Sequence, residues 1–377
     1  METKESARVI KRGLNASGTA DYFYMRPSLG STGQVPSVGS ITSSPDIWLA
    51  GTQPIANAGS VLSTDEKYTE ASSNDVFQGV DNYIYVRGKN GASGVQSPWI
   101  ELYYAPNGII NWPIQWVENK LYTKFDQQGM PVEGSNFLKL GNVNSGDIAA
   151  GNDCFVWRNV PAPPSGSDHY CLFANINDAN NSHPVPGASG IGKIDMANIV
   201  RNDLRLGWRN VHMVSGNKPS INVHSKLTIP NEPGAGGIYN IYLKCPSGFN
   251  GTEVAFHTNK TDAQGRQIEL SRTKVQAGDE PSIYGCQVDL PEGFDGDVQI
   301  NVWFNGVSVP EGQMITIEAG FIATTAEEHF LAERYNLYCD DYIGMVKSNS
   351  QNLRHFDNAI PIHRTVFIGS DHFQIHK

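Results

Sequence analysis

Two runs of alternating apolar and polar residues, joined by a Gly/Ser-rich loop, constrain this chain more than any other feature. The first run, 81–87, carries apolar side chains at Ile84 and Val86, and the second, 99–105, has the same period. A period of two is typical of half-buried strands, so we predict that the two runs form an antiparallel pair. The apolar face of such a pair must be buried on a second sheet, which predicts a β-sandwich.

Composition agrees with an all-β protein of more than one domain. The 377 residues include 38 Gly and 21 Pro, and only 18% are charged, which favours short strands and tight turns over long helices. One immunoglobulin-type sandwich takes about 100 residues, so the chain is long enough for two. The formal net charge of −10 argues against nucleic acid or anionic lipid as a partner, because either would need a positive field.

We predict two consecutive immunoglobulin-like β-sandwiches with a C-terminal α/β extension. Residues 1–20 are polar and aperiodic and are expected to form a flexible leader. The first sandwich is assigned to 21–215 and the second to 216–322, where seven strand candidates match the immunoglobulin count. These candidates are 221–223, 227–229, 239–243, 254–256, 284–290, 298–304 and 314–322. The extension, 323–377, carries enough large apolar side chains that we expect it to dock on the sandwiches.

No segment resembles a signal peptide or a membrane helix. The basic segment 4–12 lacks the apolar run that either would need, and no later stretch is long enough to span a bilayer. We therefore expect a protein without a transmembrane segment that is cytoplasmic or is exported by a route that reads no N-terminal leader.

The five cysteines form no C-x-x-C pair and no histidine lies at zinc-site spacing from them, which argues against structural zinc. Cys245 and Cys286 are the pair whose positions we would first examine for a disulfide. Buried free thiols, as in a protein made in reducing cytoplasm, are the alternative.

Two sets of residues are candidate binding sites. Trp112 and Trp116 would form a stacking platform for a sugar ring if they are exposed, whereas buried tryptophans here would cap the sandwich core. His372 and His376 point to the same side of a strand, with aspartates nearby, and would form a metal site or simply a solvated polar face. No Gly-x-Ser-x-Gly elbow is present, and we assign no catalytic residue and no cofactor.

Several short segments occur in an order that resembles one family. These segments are 24–26, 30–33, 36–37, 44–47, 82–87, 90–91, 169–172 and 207–211. Together they resemble bacterial CARDB-like immunoglobulin-fold proteins over residues 21–215. Some such proteins lie beside toxin genes, including clusters that encode helical pore-forming toxins. The resemblance implies an accessory role, such as that of the non-toxic companion in a motility-associated killing factor cluster, and it supplies no catalytic residues.

Three functional hypotheses follow. The first is a non-enzymatic accessory, binding or assembly protein whose partner is another protein, either a toxin component or a secretion factor. The second is a carbohydrate-binding module that uses Trp112 and Trp116. The third is a metal-dependent hydrolase that uses the C-terminal histidines.

Overall fold

The computed structural model describes residues 18–37, 40–165, 167–178, 183, 185, 189–210, 212–215, 219–279, 281–338 and 365–376. These residues form two β-sandwiches with a few short helices, which confirms the predicted all-β sandwich class. Of the leader predicted over 1–20, only 18–20 fall within the described ranges. None of the helices in those ranges is long and apolar enough to cross a bilayer.

The first sandwich packs a sheet built around one central strand against a four-stranded sheet. Its strands are β1 (Phe23–Tyr24), β2 (Ile47–Gly51), β3 (Asn82–Asn90), β4 (Pro98–Pro106), β5 (Phe137–Lys139), β6 (Ile148–Ala150), β7 (Phe155–Trp157), β8 (Tyr170–Asp178) and β9 (Leu206–Arg209). Its helices are α1 (Ala58–Leu62), α2 (Asp65–Tyr68) and α3 (Lys193–Asn202). In one sheet β1, β2, β6 and β7 all pair with β3, and the other has the order β5-β4-β8-β9.

The two alternating runs are strands, as predicted, but the prediction that they pair with each other is wrong. β3 and β4 lie in opposite sheets, and the loop between them crosses from one sheet to the other. Asn90 stabilises this crossing because its Nδ2 donates to the carbonyl oxygens of Gly94 and Val143, at 2.8 and 2.9 Å. The apolar side chains of the two strands meet across one core: Ile84, Val86, Ile100 and Leu102. Alternation shows that one face of a strand is buried. The pattern is the same whether the following strand pairs with it in one sheet or packs against it from the opposite sheet.

The second sandwich consists of a five-stranded and a four-stranded sheet. Its strands are β10 (His212–Ser215), β11 (Ser220–Thr228), β12 (Gly237–Cys245), β13 (Glu253–Thr261), β14 (Gln267–Lys274), β15 (Ser282–Leu290), β16 (Asp295–Trp303), β17 (Met314–Ile322) and β18 (Thr365–His376), with helix α4 at Ala326–Arg334. The sheet orders are β10-β18-β17-β12-β15 and β11-β16-β13-β14.

The predicted count of seven strands between 216 and 322 is right because two errors cancel. The candidates 221–223 and 227–229 are parts of the single strand β11, and β14 was not predicted. β14 lies at the edge of its sheet, so much of it is exposed and its sequence carries few apolar residues.

The C-terminal segment contributes an internal strand to the second sandwich. β18 lies between β17, to which it is antiparallel, and β10, to which it is parallel. β10 comes from the end of the segment assigned to the first sandwich, so the chain passes from one sandwich to the other between Arg209 and His212. Asn210 marks this passage, since its Nδ2 donates to the carbonyl oxygen of Ser370, at 3.1 Å.

The cysteines in the described ranges are free thiols. Cys245 and Cys286 lie on the neighbouring strands β12 and β15, but the register places Cys286 opposite Ile241 and Cys245 opposite Ser282. The two residues are therefore offset along the sheet, and the disulfide hypothesis for them is wrong. Cys339 lies outside the described residues.

We expect Gly369→Ala to lower the free energy of unfolding by about 1–3 kcal/mol, because it overpacks the contact between the sandwiches. A Cβ atom at Gly369 would meet the Ile109 carbonyl oxygen and would lie 2.9 Å from Cα of Ile110. Urea unfolding measures the effect, and Gly278→Ala is the control because nothing lies within 4 Å of a Cβ there. Equal stability of the two variants would contradict this contact.

Candidate functional site

The loop that follows β4 joins the first sandwich to the second. The backbone N–H of Ile109 donates to the carbonyl oxygen of Lys226 at 2.7 Å, and Nε1 of Trp112 donates to that of Thr228 at 2.8 Å. Both acceptors lie on β11. The loop therefore attaches to the backbone of the second sandwich and positions the residues of the junction.

The two tryptophans predicted as a sugar platform are buried. Trp112 is 1% exposed and Trp116 is 0% exposed. The Trp116 ring stacks on Phe173, with centroids 4.9 Å apart and planes at 6°. Both side chains fill the core that the two sandwiches share. The prediction of an exposed platform is therefore wrong, and the two rings lie where the alternative placed them, in the core.

Asp371, on β18, connects four separate segments of the chain. Its Oδ2 accepts hydrogen bonds from Oγ of Ser225 at 2.6 Å and Nδ2 of Asn107 at 2.9 Å. Its Oδ1 accepts from Nδ2 of Asn210 at 3.1 Å and lies 3.4 Å from Nε2 of His169. We call these five residues the Asp371 network. It ties β18 and β11 of the second sandwich to the first.

The carboxylate of this network is charged although it is fully buried. Burial raises the pKa of Asp371, but the neighbouring His169 and the hydrogen bonds from Ser225 and Asn107 together outweigh burial and hold the pKa below its ordinary value. The network is therefore a buried anion that several donors satisfy.

His372 is the next residue on β18, and it is neutral at pH 7. Burial lowers its pKa to about 4; the Asp371 carboxylate opposes this effect, and His169 and Arg209 add to it. Its Nδ1 lies 3.3 Å from Oγ1 of Thr42, which lies 3.0 Å from Oγ of Ser370. If Ser370 donates to Thr42 and Thr42 donates to Nδ1, the ring proton lies on Nε2.

The structure tests the predicted metal site only at one of its two histidines. His372 is 1% exposed and its Nδ1 is engaged by Thr42. The side chain of His376 lies outside the described residues, so the pair stays a prediction. Within the described ranges, no group of three His, Cys, Asp or Glu side chains is arranged to hold a metal ion.

A cleft of about 650 Å³ opens where the two sandwiches meet. The first sandwich contributes 28–30, 40, 43, 71–74 and Arg209 to its lining, and the second contributes 311, 312, 314 and part of β18 including His372. We call it the junction cleft. Five serines contribute to its lining, and Arg209 and His372 are its buried ionisable side chains.

Arg209, at the end of β9, is a buried cation that carbonyl oxygens hold in place. Its Nη1 donates to the carbonyl oxygen of Ile47 at 3.0 Å and its Nη2 to that of Ser72 at 2.8 Å. Its Nε has no hydrogen-bond partner among the described residues. Burial lowers the pKa of Arg209 to about 10, with Asp75 opposing the shift and Arg87 adding to it. The guanidinium is therefore charged at pH 7.

A second buried charge cluster lies close to Arg209. Asp46 pairs with two arginines: its Oδ1 is 2.6 Å from Nη2 of Arg26 and 3.0 Å from Nε of Arg87. All three side chains are buried. Arg26 and Arg87 together carry one more positive charge than Asp46 neutralises, and Asp75 acts on the neighbouring Arg209.

We expect the stability of the protein to fall by about 2 kcal/mol between pH 7 and pH 5 because of His372. Its pKa is about 4 in the folded protein, against 6.5 for an unperturbed histidine, so the unfolded chain binds the extra proton in this window and acidification favours unfolding. Urea unfolding at both pH values measures the loss. In His372→Gln, which has no titrating ring, this part of the pH dependence should vanish; an unchanged pH dependence would contradict the assignment.

Comparisons with known proteins add little to this geometry. No family model and no curated protein matches the chain. A collagen adhesin from S. aureus overlaps 80% of this chain and 88% of its own, with 7% identity and a TM-score of 0.22. An enterococcal surface protein overlaps 78% and 94%, with 10% identity and a TM-score of 0.19. The CupB6 tip adhesin from Pseudomonas aeruginosa overlaps 78% and 88%, with 9% identity and a TM-score of 0.15. TM-scores this low carry no argument about function, and the fold class rests on the strands themselves.

Proposed function

We propose that this protein is a non-enzymatic binding or assembly protein that contacts another protein through the junction cleft. The observation that carries the proposal is Arg209, a charged side chain that lines the cleft and makes no ion pair or hydrogen bond to a carboxylate among the described residues. Burying a charge is unfavourable, and the carbonyl oxygens and Asp75 offset only part of that cost, so a partner that brings a further negative group to the cleft would be favoured.

The partner in this proposal belongs to a bacterial toxin system, as a toxin component or a secretion factor. The support is the resemblance of residues 21–215 to CARDB-like proteins that lie beside toxin genes. The resembling segments also contain the buried charges near the cleft: 24–26 includes Arg26, 44–47 includes Asp46, 82–87 includes Arg87 and 207–211 includes Arg209. The same residues thus carry the resemblance and build the candidate site.

The experiment mixes the purified protein with the products of the genes beside its own and follows complexes by size-exclusion chromatography and calorimetry. We expect a stoichiometric complex with one product. Ser73→Trp, at an exposed residue of the cleft lining, should weaken the complex at least about tenfold, which is about 1.4 kcal/mol. Ser271→Trp, at an exposed residue of β14, is the matched control and should not. Absence of any complex, or equal effects of both variants, would overturn the proposal.

Glycan binding is a second candidate function, at a place other than the two tryptophans predicted. Trp99 on β4 and Phe137 on β5 are half-buried and line a cavity of about 500 Å³ together with Lys139 and Asn142. Aromatic faces beside amide and ammonium groups are suited to stacking on a sugar ring and bonding its hydroxyls. A glycan array that finds a ligand lost in Trp99→Ala and kept in Trp303→Ala would support this function, and an array without any ligand would remove it.

A further inference from the structure

We propose that the cavity beside Trp99 binds an acidic sugar, a hexuronate residue of a polysaccharide, whose ring packs on the indole and whose carboxylate pairs with the ammonium of Lys139. This inference deepens the second candidate function, glycan binding, and rests on it. It is independent of the junction cleft, since none of the described residues lines both places.

The aromatic side chains of this cavity lie on the outer face of the first sandwich. Ile100 on β4 and Leu138 on β5 face the core, so their strand neighbours Trp99, Phe137 and Lys139 point to the opposite face. The register places Trp99 directly across from Lys139. Both aromatic side chains are large yet only half-buried, and they line a cavity of about 500 Å³. An uncovered aromatic face is suited to packing against the C–H face of a sugar ring.

Lys139 brings a positive charge to this cavity. Its side chain is exposed and lines the cavity, and its Nζ lies 5.7 Å from the centroid of the Phe137 ring. Within the described part of the chain, no carboxylate forms an ion pair with it. A ligand carboxylate that reaches this ammonium makes a charge-assisted hydrogen bond, which is stronger than one between neutral groups. The cavity therefore favours a ligand that combines a ring with a negative charge.

The carboxylate of Glu101, on the same face, is engaged on the other side of β4. Glu101 lies directly across from Phe137, but its Oε2 is 3.4 Å from Nδ2 of both Asn175 and Asn177 on β8. β8 and β5 flank β4 on opposite sides, so these contacts draw the carboxylate away from the cavity. None of the described residues that line the cavity is acidic. Nothing in the lining thus competes with a ligand carboxylate for Lys139.

Asn142 adds a donor for the hydroxyl groups of a sugar. Oγ of Ser97 donates to Oδ1 of Asn142 at 2.7 Å, and no described residue accepts from Nδ2 of this exposed amide. A hexuronate supplies acceptors of both kinds, a carboxylate for the ammonium and ring hydroxyls for the amide. A neutral sugar lacks the first, and an acidic peptide lacks the ring.

The test is isothermal titration calorimetry of the full chain with tetramers of galacturonate, mannuronate and glucuronate at fixed ionic strength. The methyl ester of each tetramer keeps the rings and removes the charge, and tetraglutamate keeps the charge without the rings. We expect at least one tetramer to bind saturably, about tenfold or more tightly than its own ester, which is about 1.4 kcal/mol, and more tightly than tetraglutamate. Binding of none of the three tetramers, or equal affinity for acid and ester or for acid and tetraglutamate, would overturn the inference.

Variants give an independent measurement at the two residues that carry the inference. Lys139→Met keeps the aliphatic stem and should weaken binding of the acid about tenfold or more without changing the affinity for the ester. Lys274→Met, at an exposed residue of β14, is the matched control and should leave both affinities unchanged. Trp99→Ala should remove binding of acid and ester alike, and circular dichroism checks that it folds. Equal effects of the two lysine variants would contradict the assigned ion pair.

The inference and the functions proposed above fail separately. A neutral glycan that binds at Trp99 while no hexuronate does would leave the glycan candidate and remove the inference. Absence of any glycan ligand would remove both, and the proposed protein complex at the junction cleft would still stand on its own experiment.

Discussion

Asp46→Asn is expected to lower the free energy of unfolding by about 3–5 kcal/mol. Asp46 is 0% exposed and its carboxylate pairs with both Arg26 and Arg87. The substitution removes the only charge of this cluster that opposes two buried guanidinium groups. Neither arginine can turn away easily, because Nη1 of Arg26 donates to the carbonyl oxygen of Tyr68 and Nη2 of Arg87 to that of Glu70, at 2.7 and 2.6 Å.

Urea unfolding of the wild type and of Asp46→Asn measures this effect. Asp279→Asn, the same change at an exposed position, is the control and should alter stability by less than about 0.5 kcal/mol. A loss below about 1 kcal/mol in Asp46→Asn would show that the cluster is not buried as described.

Asp371→Asn is expected to have a similar effect, about 3–5 kcal/mol, and to loosen the two sandwiches from each other. The Asp371 oxygens accept from Ser225, Asn107 and Asn210, so an amide nitrogen in place of one oxygen faces a donor. Because these donors come from both sandwiches, the damage falls on their junction.

Two readouts separate this effect from a uniform loss of stability. Denaturant unfolding should change from one transition to two in Asp371→Asn, while Asp279→Asn keeps the wild-type profile. If Asp371→Asn unfolds in a single transition whose midpoint denaturant concentration equals that of the wild type, the role assigned to the network is contradicted.

The sequence predicted which faces of the strands are buried, but not which strands pair. The alternation of β3 and β4 is real, yet they belong to opposite sheets. Likewise β18 pairs in parallel with β10, which is distant in sequence, and no local pattern indicates such a partner. Periodicity depends on burial of one face, whereas pairing depends on the path of the whole chain.

The candidate site was largely missed by sequence reasoning. Arg87 and Arg209 each occur inside or beside an apolar strand, and arginine is rarely buried unless it is paired, which is the one signal that would have singled them out. Their convergence on one cleft is a tertiary property. Trp112 and Trp116 were recognised as notable, but only the structure shows that their rings fill the junction.

The junction cleft exists only where the two sandwiches meet, so we expect the two sandwiches to unfold together as one cooperative unit. Hydrogen exchange with mass spectrometry, at increasing urea, measures this directly by comparing peptides from β8 of the first sandwich and β13 of the second. We predict that both lose protection at the same urea concentration in the wild type and at different concentrations in Asp371→Asn. Separate transitions already in the wild type would contradict a single body and the cleft that depends on it.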